Sequence, residues 1–395
     1  MKETNKKKIY KIEIPIDIKK YNIDNIIYAS AFINKEIENT FLKNGKIIFQ
    51  SYKKQNKKKI EKNLNILKER FPKIVHKENI FFEKKYVKKK INYFKTSKQK
   101  ELYIKIGRGL YVFKNEFSQI IKFLDFFIYS YYGKYFKSIE ETYPNMIKLE
   151  SLRKANHLSS FPEHLLFNFH LDENLDNLNK FAKKNTINKF NQIGKIEYIQ
   201  NPSTCFHCYS IRENKNISSN IAISAITKCN RYEASNNDNF ERLLEFYLRE
   251  VIFLGSSRYI SKTRKETLDL TKKLSHRWDI AGKIVSSNDP FFTNDYKSKS
   301  FFQLKLNLKY EFKCDLPFLN RKVSIMSSNV HGDTFSKNFK IKNKNKFLQT
   351  GCMGFGLERF AMVIIAQHGL DKNKWPKKLK DDFSKWSKNE KEDFL

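Results

Sequence analysis

An arginine at the start of an apolar stretch is the first candidate for chemistry in this sequence. Glycines are frequent over 350–356, which predicts tight turns and a close approach to another group. From Leu357 the chain is apolar on almost every side until Gly369, as in a buried helix with a glycine cap. Arg359 falls in the first turn, where a buried cation opposes the helix dipole and requires a partner. A bound phosphate would satisfy the arginine and the helix N-terminus, and a structural salt bridge is the alternative.

Two cysteines and a glutamate lie in apolar or glycine-rich contexts that suit metal ligands: Cys205, Glu250 and Cys352. Two thiolates and a carboxylate can bind zinc, and three protein ligands leave one coordination position open to a substrate. Cys205 also forms a Cys-x-x-Cys pair with Cys208, but the sequence has no second pair at the spacing of a structural zinc ribbon. The residues alone leave two interpretations open, a zinc site and plain buried cysteines.

A predicted β-hairpin would position the glutamate. Arg231 and Glu233 end a first strand, a polar loop follows, and 243–254 returns as a second strand. On an extended strand Phe246 and Glu250 share one face with apolar neighbours, so the carboxylate should be partly buried. A buried carboxylate requires a metal or a cation beside it.

Further elements follow from periodicity and charge. The pattern predicts a helix over 117–132 and a charged helix over 257–282, with strands over 301–312 and 323–329. The lysine-rich tail after residue 372 is predicted to be peripheral.

The first hundred residues are dominated by lysine. Residues 9–18 alternate as a strand does, with Pro15 at an edge or a bulge, and 53–68 is predicted to be a solvated helix. The chain carries a formal net charge of +35, which is typical of nucleic-acid-binding proteins. Lysine, asparagine, isoleucine and phenylalanine are frequent along the whole length, however, so a biased coding composition explains the charge equally well. A basic surface would favour an acidic partner, whether tRNA, a membrane or a small acidic protein.

Composition also bounds the compartment. At 395 residues with 40% apolar side chains, the chain has ample material for a core. The sequence shows neither a signal peptide nor an apolar run long enough to span a bilayer, so no membrane association is expected. Five cysteines, an odd number, indicate reduced thiols and a cytoplasmic location.

Several of these residues fall in motifs of a known family. Arg231-Tyr-Glu233 with Phe246-x-x-x-Glu250 resembles motif 2 of class II aminoacyl-tRNA synthetases, and 354–359 resembles their motif 3. The closer resemblance is to the amino acid:[carrier protein] ligases, which are truncated homologues of atypical seryl-tRNA synthetases. The stretches that carry it, in the family's order from about 105 to 370, are 141–147, 158–162, 201–205, 244–250, 288–292, 327–335 and 352–360.

The resemblance implies an α+β fold, a class II aminoacyl-tRNA synthetase-like antiparallel sheet flanked by helices, with a lysine-rich N-terminal extension. It divides the chain into a basic region of unclear role (1–104), a catalytic domain (105–372) and a C-terminal tail (373–395). Within the catalytic domain, 257–282 corresponds to an insertion that is predicted to dock a carrier protein through its lysines and arginines.

The resemblance also implies roles for individual residues. Cys205, Glu250 and Cys352 match the ligands of a catalytic Zn²⁺. Arg231 matches the arginine that contacts the α-phosphate of ATP and the carboxylate of the amino acid, and Arg359 matches the arginine at the γ-phosphate.

The adenine of ATP is assigned to Glu233 and Phe246, the latter by stacking. Glu311 is a candidate ligand of Mg²⁺ by its placement alone. His331 and Asp333 match a family segment without an assigned role.

The implied activity is ATP-dependent conversion of an amino acid to an aminoacyl adenylate, followed by transfer to the phosphopantetheine thiol of an acidic carrier protein. The enzyme would be a homodimer, and its amino acid cannot be read from the sequence. A short motif 2 loop leaves little room for a tRNA acceptor stem. Two alternatives remain: a seryl-tRNA synthetase-like enzyme with 1–104 as a tRNA-binding arm, although that region lacks coiled-coil heptads, and a non-catalytic nucleic-acid-binding paralogue.

Overall fold

Helices and strands cover most of the chain in the computed structural model, which describes residues 8–74, 78–88, 91–94, 99–184, 194–238, 241–289, 291 and 295–392. The helices are α1 (Ile23–Ser30), α2 (Lys57–Arg70), α3 (Gln99–Leu102), α4 (Asn115–Ile128), α5 (Leu149–Lys154), α6 (His157–Ser160), α7 (Leu175–Lys184), α8 (Cys205–Ser210), α9 (Ser257–Arg277), α10 (Tyr296–Lys305), α11 (Thr334–Asn338), α12 (Leu357–His368) and α13 (Lys377–Glu392). The strands are β1 (Tyr10–Pro15), β2 (Ile37–Lys43), β3 (Lys46–Ser51), β4 (Ile80–Lys84), β5 (Tyr103–Gly107), β6 (Leu110–Phe113), β7 (Ile139–Thr142), β8 (Met146–Lys148), β9 (Tyr198–Gln200), β10 (Ile221–Asn230), β11 (Glu245–Gly255), β12 (Gly282–Ser286), β13 (Lys309–Leu316), β14 (Arg321–Gly332), β15 (Lys342–Asn343), β16 (Lys346–Phe347) and β17 (Gln349–Gly356). Within these ranges, no helix is both long enough and apolar enough to cross a lipid bilayer.

One large sheet organises the molecule. Its strand order, among the described residues, is β4-β12-β13-β14-β17-β11-β10-β7. Neighbouring strands are antiparallel except β10 and β7, which run parallel. The predicted hairpin is the pair β10 and β11, in which Cys229 lies opposite Phe246. An antiparallel sheet with flanking helices is therefore confirmed.

The side chains of β11 divide between the two faces of this sheet. Val251 and Phe253 pack into a core built with α4, α9, α12 and α13. Ile252 packs into a second core with α5 and α8 on the opposite side. Because side chains alternate along a strand, Glu250 lies on the same side as Ile252. The helix predicted from Leu357 is α12, and it belongs to the first core.

The N-terminal unit, residues 10–71, is built from a three-stranded sheet in the order β1-β3-β2 and from the helices α1 and α2. Pro15 ends the edge strand β1, as its position in the sequence predicts. The lysine-rich segment forms α2, but this helix is not solvated on every side, because Ile60, Leu64 and Leu67 are buried. Their helical spacing gives α2 an apolar face that closes the N-terminal core.

The helix α10 joins the two parts of the molecule. Its first residue, Tyr296, is fully buried in the N-terminal core, with its ring centroid 4.8 Å from that of Phe71. Asn25 Nδ2 donates a hydrogen bond of 2.6 Å to Tyr296 Oη. A tyrosine from the segment between β12 and β13 of the main sheet thus completes the core of the N-terminal unit.

The strand predicted over 301–312 is a correction, because α10 continues to Lys305 and β13 begins only at Lys309. The buried residues of α10, Tyr296 and Ser300, are four positions apart, which is helical spacing. The apolar run that suggested a strand is instead exposed.

Both predicted domain boundaries differ from the structure. The strand β4 lies before residue 105, yet it pairs with β12 and forms an edge of the main sheet. The tail is not peripheral, because Phe383 and Trp386 of α13 are buried against Phe123 of α4. Charged residues dominate α13 and obscure this apolar face in the sequence.

Candidate active site

Cys205, Glu250 and Cys352 meet on one face of the main sheet. Glu250 lies in β11, and Cys352 lies on the neighbouring strand β17, whose register places it on the same face. Cys205 begins α8, and the preceding Thr204 fixes that end of the helix by donating a hydrogen bond of 2.8 Å to a carbonyl of β11. The three ligand atoms lie within 4.8 Å of one another, and all three residues are buried.

The hydrogen bonds and pKa values of Cys205, Glu250 and Cys352 fit a metal site. Ser203 donates a hydrogen bond of 3.1 Å to Glu250 Oε1, whereas Glu250 Oε2 is buried and has no hydrogen-bond partner within the described residues. Burial, followed by the charge of Cys352, raises the pKa of Glu250 to about 8. A hydrogen bond from Cys205 lowers the pKa of the Cys352 thiol well below its ordinary value. A zinc ion would bind the unpaired Oε2 of Glu250 and displace the protons of the carboxyl and thiol groups. The donor set therefore fits the predicted metal.

The surroundings of Cys352 include residues that sequence reasoning did not assign. Asn329 pairs with Cys352 across β14 and β17, and its Nδ2 donates to the sulfur at 3.7 Å. His331, two residues further on the same face, has its Nε2 at 3.8 Å from that sulfur and its Nδ1 at 3.4 Å from Tyr209 Oη. Alternation along a predicted β14 could have placed Asn329 and His331 beside a ligand. Asp333 instead forms an ion pair with a lysine four residues later.

The glycines over 350–356 allow close packing of strands but form no turn, since this stretch is the strand β17. A Cβ atom on Gly354 would lie 3.0 Å from Glu250 Cγ, and one on Gly351 would lie 2.9 Å from the carbonyl oxygen of Asn329. The predicted close approach is therefore observed at Gly354, directly beside the candidate metal ligand, and the predicted tight turn is not.

The two arginines predicted to bind phosphate, Arg231 and Arg359, are held by backbone carbonyls. Arg231 follows β10, donates from Nε to the carbonyl of Pro202 at 2.9 Å, and has its guanidinium 5.3 Å from the centroid of the Phe246 ring. Arg359 donates from Nε to the carbonyl of Glu241 at 2.6 Å and from Nη1 to a carbonyl of β14. Among the ion pairs formed by the described residues, none includes either arginine. The salt bridge considered as an alternative for Arg359 is therefore not observed in that part of the chain.

The same arginines belong to an electropositive region close to the candidate metal ligands Cys205, Glu250 and Cys352. Burial lowers the pKa of Arg359 to about 10, and the guanidinium groups of Arg242 and Arg231 lower it further while Glu233 opposes them. Arg231 also acts on Glu250, where it opposes the increase in pKa that burial causes. Arg231 thus lies close to both groups. Concentrated positive charge of this kind favours an anionic ligand such as a phosphate.

The loop between β10 and β11 is short and internally bonded. Glu233 is buried, and its Oε2 accepts a hydrogen bond of 2.6 Å from Arg242 Nη1. Asn237 accepts from the backbone N–H of Glu233 at 2.5 Å and donates to the carbonyls of Arg231 and Arg242 at 3.4 and 3.2 Å. The Asn237 amide therefore joins both ends of the loop, a role that its place in a polar run does not reveal.

Glu311, the candidate magnesium ligand, is already compensated by cations. Lys309 and Lys313 lie 3.1 and 3.5 Å from its carboxylate, and Ser287 donates a hydrogen bond of 2.9 Å. Burial acts to raise the pKa of Glu311, but the two lysines outweigh it and hold the pKa below its ordinary value. A divalent cation here would have to displace a lysine, so this role stays a prediction. In the neighbouring stretch 288–292, residues 290 and 292 lie outside the described residues.

The basic segment predicted to dock a carrier protein is largely α9, whose apolar face packs on the main sheet. Several of its cations have partners within the molecule. The Arg264 guanidinium lies 5.0 Å from the centroid of the Tyr310 ring, and Arg277 Nε donates to Asp382 at 2.7 Å. The docking role stays a prediction.

A second group of buried ionisable residues lies beside the β10–β11 loop. Both carboxylate oxygens of Glu163 are buried without a hydrogen-bond partner among the described residues, and burial raises the pKa of Glu163 to about 8. Burial lowers the pKa values of His157 and His164, and the charge of Arg231 lowers them further. None of these three residues was singled out in the sequence.

Glu163 should make stability depend on pH. An unfolded Glu163 ionises near 4.5, whereas the folded carboxyl keeps its proton up to about 8, so this group destabilises the fold as pH rises between those values. We expect Glu163→Gln to gain stability relative to the unchanged protein over that interval. The gain should approach about 5 kcal/mol at pH 8, since the pKa rises from 4.5 to about 8 and each pH unit is worth about 1.4 kcal/mol. Thermal melts of both proteins at several pH values measure it.

The two buried histidines act in the opposite direction, but they are present in both proteins and cancel in the comparison. Glu150→Gln is the matched control, because Glu150 is half exposed at the surface. A constant difference between Glu163→Gln and the unchanged protein across the pH range would contradict the assignment.

Known proteins similar to this chain include type-2 serine–tRNA ligases. No protein-family model matches the sequence. The chain is 26% identical over 254 residues to a type-2 serine–tRNA ligase of Methanococcus aeolicus, a match that covers 60% of this chain and 49% of that protein. It is 26% identical over 294 residues to the corresponding protein of Methanocaldococcus jannaschii, covering 71% of this chain and 56% of that one. The chain thus spans about half the length of the curated relatives it matches.

Solved structures give the same picture of the fold. The structure of M. kandleri SerRS, in complex with A. aeolicus tRNASec, superposes with a TM-score of 0.70 at 17% identity over 95% of this chain and 78% of that one. A cytoplasmic serine–tRNA ligase from Naegleria fowleri, in complex with AMP, gives a TM-score of 0.60 at 12% identity over 83% and 71% of the two chains. The class II aminoacyl-tRNA synthetase-like fold is therefore confirmed.

Proposed function

We propose that the protein activates an amino acid with ATP and transfers it to the 3′ end of a tRNA. The observation that carries the proposal is the meeting of Cys205, Glu250 and Cys352 with Arg231 and Arg359 in one electropositive site. A set of candidate metal ligands, together with two guanidinium groups that form no ion pair among the described residues, suits amino acid adenylation. Serine is the proposed amino acid, in accordance with the names of the similar proteins.

In the first step, a carboxylate oxygen of the amino acid attacks the α-phosphorus of ATP, and the bond to the bridging oxygen breaks to release pyrophosphate. Zinc, held by the two cysteines and Glu250, would supply a Lewis acid for the neutral amino group of the substrate. Arg231 is proposed to donate hydrogen bonds to the carboxylate and the α-phosphate. The carbonyl of Pro202 fixes its guanidinium before substrate binds, which lowers the cost of reorganisation.

Arg359 is proposed to bind the γ-phosphate. Its Nε is directed by the carbonyl of Glu241, and its place in the first turn of α12 adds the partial positive charge of a helix N-terminus. Glu233 and Phe246 are proposed to hold the adenine, the first through its carboxylate and the second through its ring. In the second step, a ribose hydroxyl of the tRNA attacks the carbonyl carbon of the adenylate, and AMP leaves.

The two candidate functions differ in the acceptor of the activated amino acid, which is either a tRNA or the thiol of a carrier protein. The N-terminal unit favours tRNA, because the similarity to SerRS bound to tRNASec extends over 95% of this chain and so includes most of that unit. Its lysines would provide phosphate contacts. The motif resemblance and the short loop, with β10 ending at Asn230 and β11 beginning at Glu245, favour the carrier-protein thiol instead. The comparisons support tRNA, and the carrier protein is kept as the second candidate.

A homodimer is part of the proposal. The strand β7 forms an edge of the main sheet, and Ile139 on it is 54% exposed. Ile104 and Val112 lie opposite each other on β5 and β6 and are also exposed. The exposed Ile139 at the edge of the main sheet supports association of two copies there, and the exposed apolar pair on the separate β5–β6 hairpin offers a further contact surface.

Pyrophosphate exchange followed by acceptor charging tests the function. We expect exchange that depends on serine in the zinc-loaded protein, and transfer of labelled serine to total tRNA rather than to a holo carrier protein. Exchange with transfer only to the carrier protein would replace tRNA by the second candidate. Absence of exchange with every amino acid, combined with salt-dependent RNA binding, would instead identify a non-catalytic paralogue.

A further inference from the structure

Tyr28 of the N-terminal unit lies against the loop that joins β10 and β11. Its neighbours Ile26 and Ala29 enter the N-terminal core, whereas the Tyr28 side chain, only 6% exposed, contacts the catalytic part. The guanidinium of Arg242 lies 5.0 Å from the centroid of its ring. Asn236 Nδ2, also in the loop, donates a hydrogen bond of 2.9 Å to the Tyr28 carbonyl.

A third contact fixes the ring itself. Tyr28 Oη shares a hydrogen bond of 3.2 Å with His164 Nε2, so the tyrosine is held between the loop and the segment that contains His164. A buried ring restrained at its hydroxyl and its backbone offers a rigid surface to a cation. Tyr28 thereby limits the positions that Arg242 can occupy.

The orientation of Arg242 affects two residues of the proposed ATP site. The Arg242 guanidinium lies between the Tyr28 ring and the Glu233 carboxylate, to which it donates. The residue before it, Glu241, supplies the carbonyl that accepts from Arg359 Nε. A displacement of the chain at 241–242 would therefore move the groups proposed to hold the adenine and the γ-phosphate together.

We infer that Tyr28 is a positioning residue for ATP, through which the N-terminal unit holds the β10–β11 loop in its nucleotide-binding shape. The inference rests on the proposed function, because Glu233 and Arg359 contact ATP only in that proposal. It makes the N-terminal unit a component of the nucleotide site in addition to a surface for an acceptor. Amino acid binding should be insensitive to Tyr28, since the metal-ligand group has separate supports in Thr204 and Ser203.

The test is the affinity of the full-length, zinc-loaded protein for Mg²⁺–ATP, measured by titration calorimetry, together with the KM for each substrate. Tyr28→Leu removes the ring from Arg242, and we expect its Kd for ATP to rise about tenfold. The KM for serine and the zinc content should stay within about twofold. Tyr28→Phe keeps the ring, and its Kd should rise no more than about threefold. Tyr135→Leu, which removes an exposed ring elsewhere, is the matched control.

The outcomes separate this inference from the function on which it rests. An unchanged protein that binds no ATP would overturn both. ATP binding by the unchanged protein and by Tyr28→Leu with equal affinity would overturn the role of Tyr28 alone. An equal rise in the KM values for ATP and serine would also overturn it, because it would indicate general destabilisation.

A second variant covers the case in which Tyr28→Leu does not fold. Asn236→Ala removes the hydrogen bond from the loop to the Tyr28 carbonyl and leaves the N-terminal core intact. Its Kd for ATP is expected to rise about threefold, and an unchanged Kd would contradict the inference.

Discussion

Cys352→Ala is expected to abolish zinc binding and to lower the rate of amino acid activation by about a thousandfold or more. The thiol of Cys352 is one of three proposed zinc ligands, and a hydrogen bond from Cys205 lowers its pKa well below the ordinary value, which favours the thiolate form that a metal binds. With Cys205 and Glu250 alone, the site would retain too few ligands to hold zinc against water. Loss of a second-shell partner typically costs 10- to 100-fold, and loss of a ligand costs more. Metal analysis of the purified protein and pyrophosphate exchange measure the two effects.

The matched control is Cys314→Ala. Cys314 is fully buried as well, but it lies in the core beneath α12, on the opposite face of the sheet from Cys352. It should lower stability through a cavity and leave zinc content and exchange unchanged. Full zinc content or full exchange in Cys352→Ala would remove the metal from the proposed mechanism.

Arg231→Ala is expected to lower kcat/KM in pyrophosphate exchange by about 10²- to 10³-fold, the loss typical of removing one preorganised donor to a developing charge. The guanidinium is oriented by the Pro202 carbonyl and by the Phe246 ring, so its donors are in place before a substrate binds. Arg231→Lys should recover only part of the activity, because an ammonium group cannot form paired hydrogen bonds to two anions.

Arg153→Ala is the control for loss of one positive charge, because Arg153 forms an exposed ion pair with Glu150 away from the sheet. Its exchange activity should equal that of the unchanged protein. Arg231→Ala with near-normal kcat/KM, or with a change confined to the KM for tRNA, would show that Arg231 does not act in adenylation.

Much of the site could be predicted because its residues belong to regular strands. Alternation along β11 predicts that Phe246 and Glu250 share a face, and the register of β17 places Cys352 on that face beside Glu250, opposite Ile252. The apolar run from Leu357 predicts α12, since a buried helix is apolar on every side. These inferences use local spacing, which the sequence records directly.

Other features depend on contacts between distant parts of the chain and leave no local pattern. Tyr28 and Arg242 are 214 positions apart, and their contact follows from how the N-terminal unit packs on the loop. The exposed apolar run in α10 suggested a strand, because only tertiary packing shows that Tyr296 is the buried residue. In α13, the many charged residues conceal the buried face that contains Phe383 and Trp386. The local spacing of residues in the sequence does not show which helix or strand a side chain will contact.

The insertion of Tyr296 into the N-terminal core has a mechanical consequence. Rotation of that unit relative to the main sheet would remove the tyrosine ring from the N-terminal core and break its hydrogen bond with Asn25. These contacts therefore oppose rotation. The N-terminal unit is therefore expected to keep a fixed orientation relative to the main sheet. In the proposed function, an acceptor bound by this unit would be held at a fixed distance from the reaction centre, so only an acceptor of matching length could place its end at the adenylate.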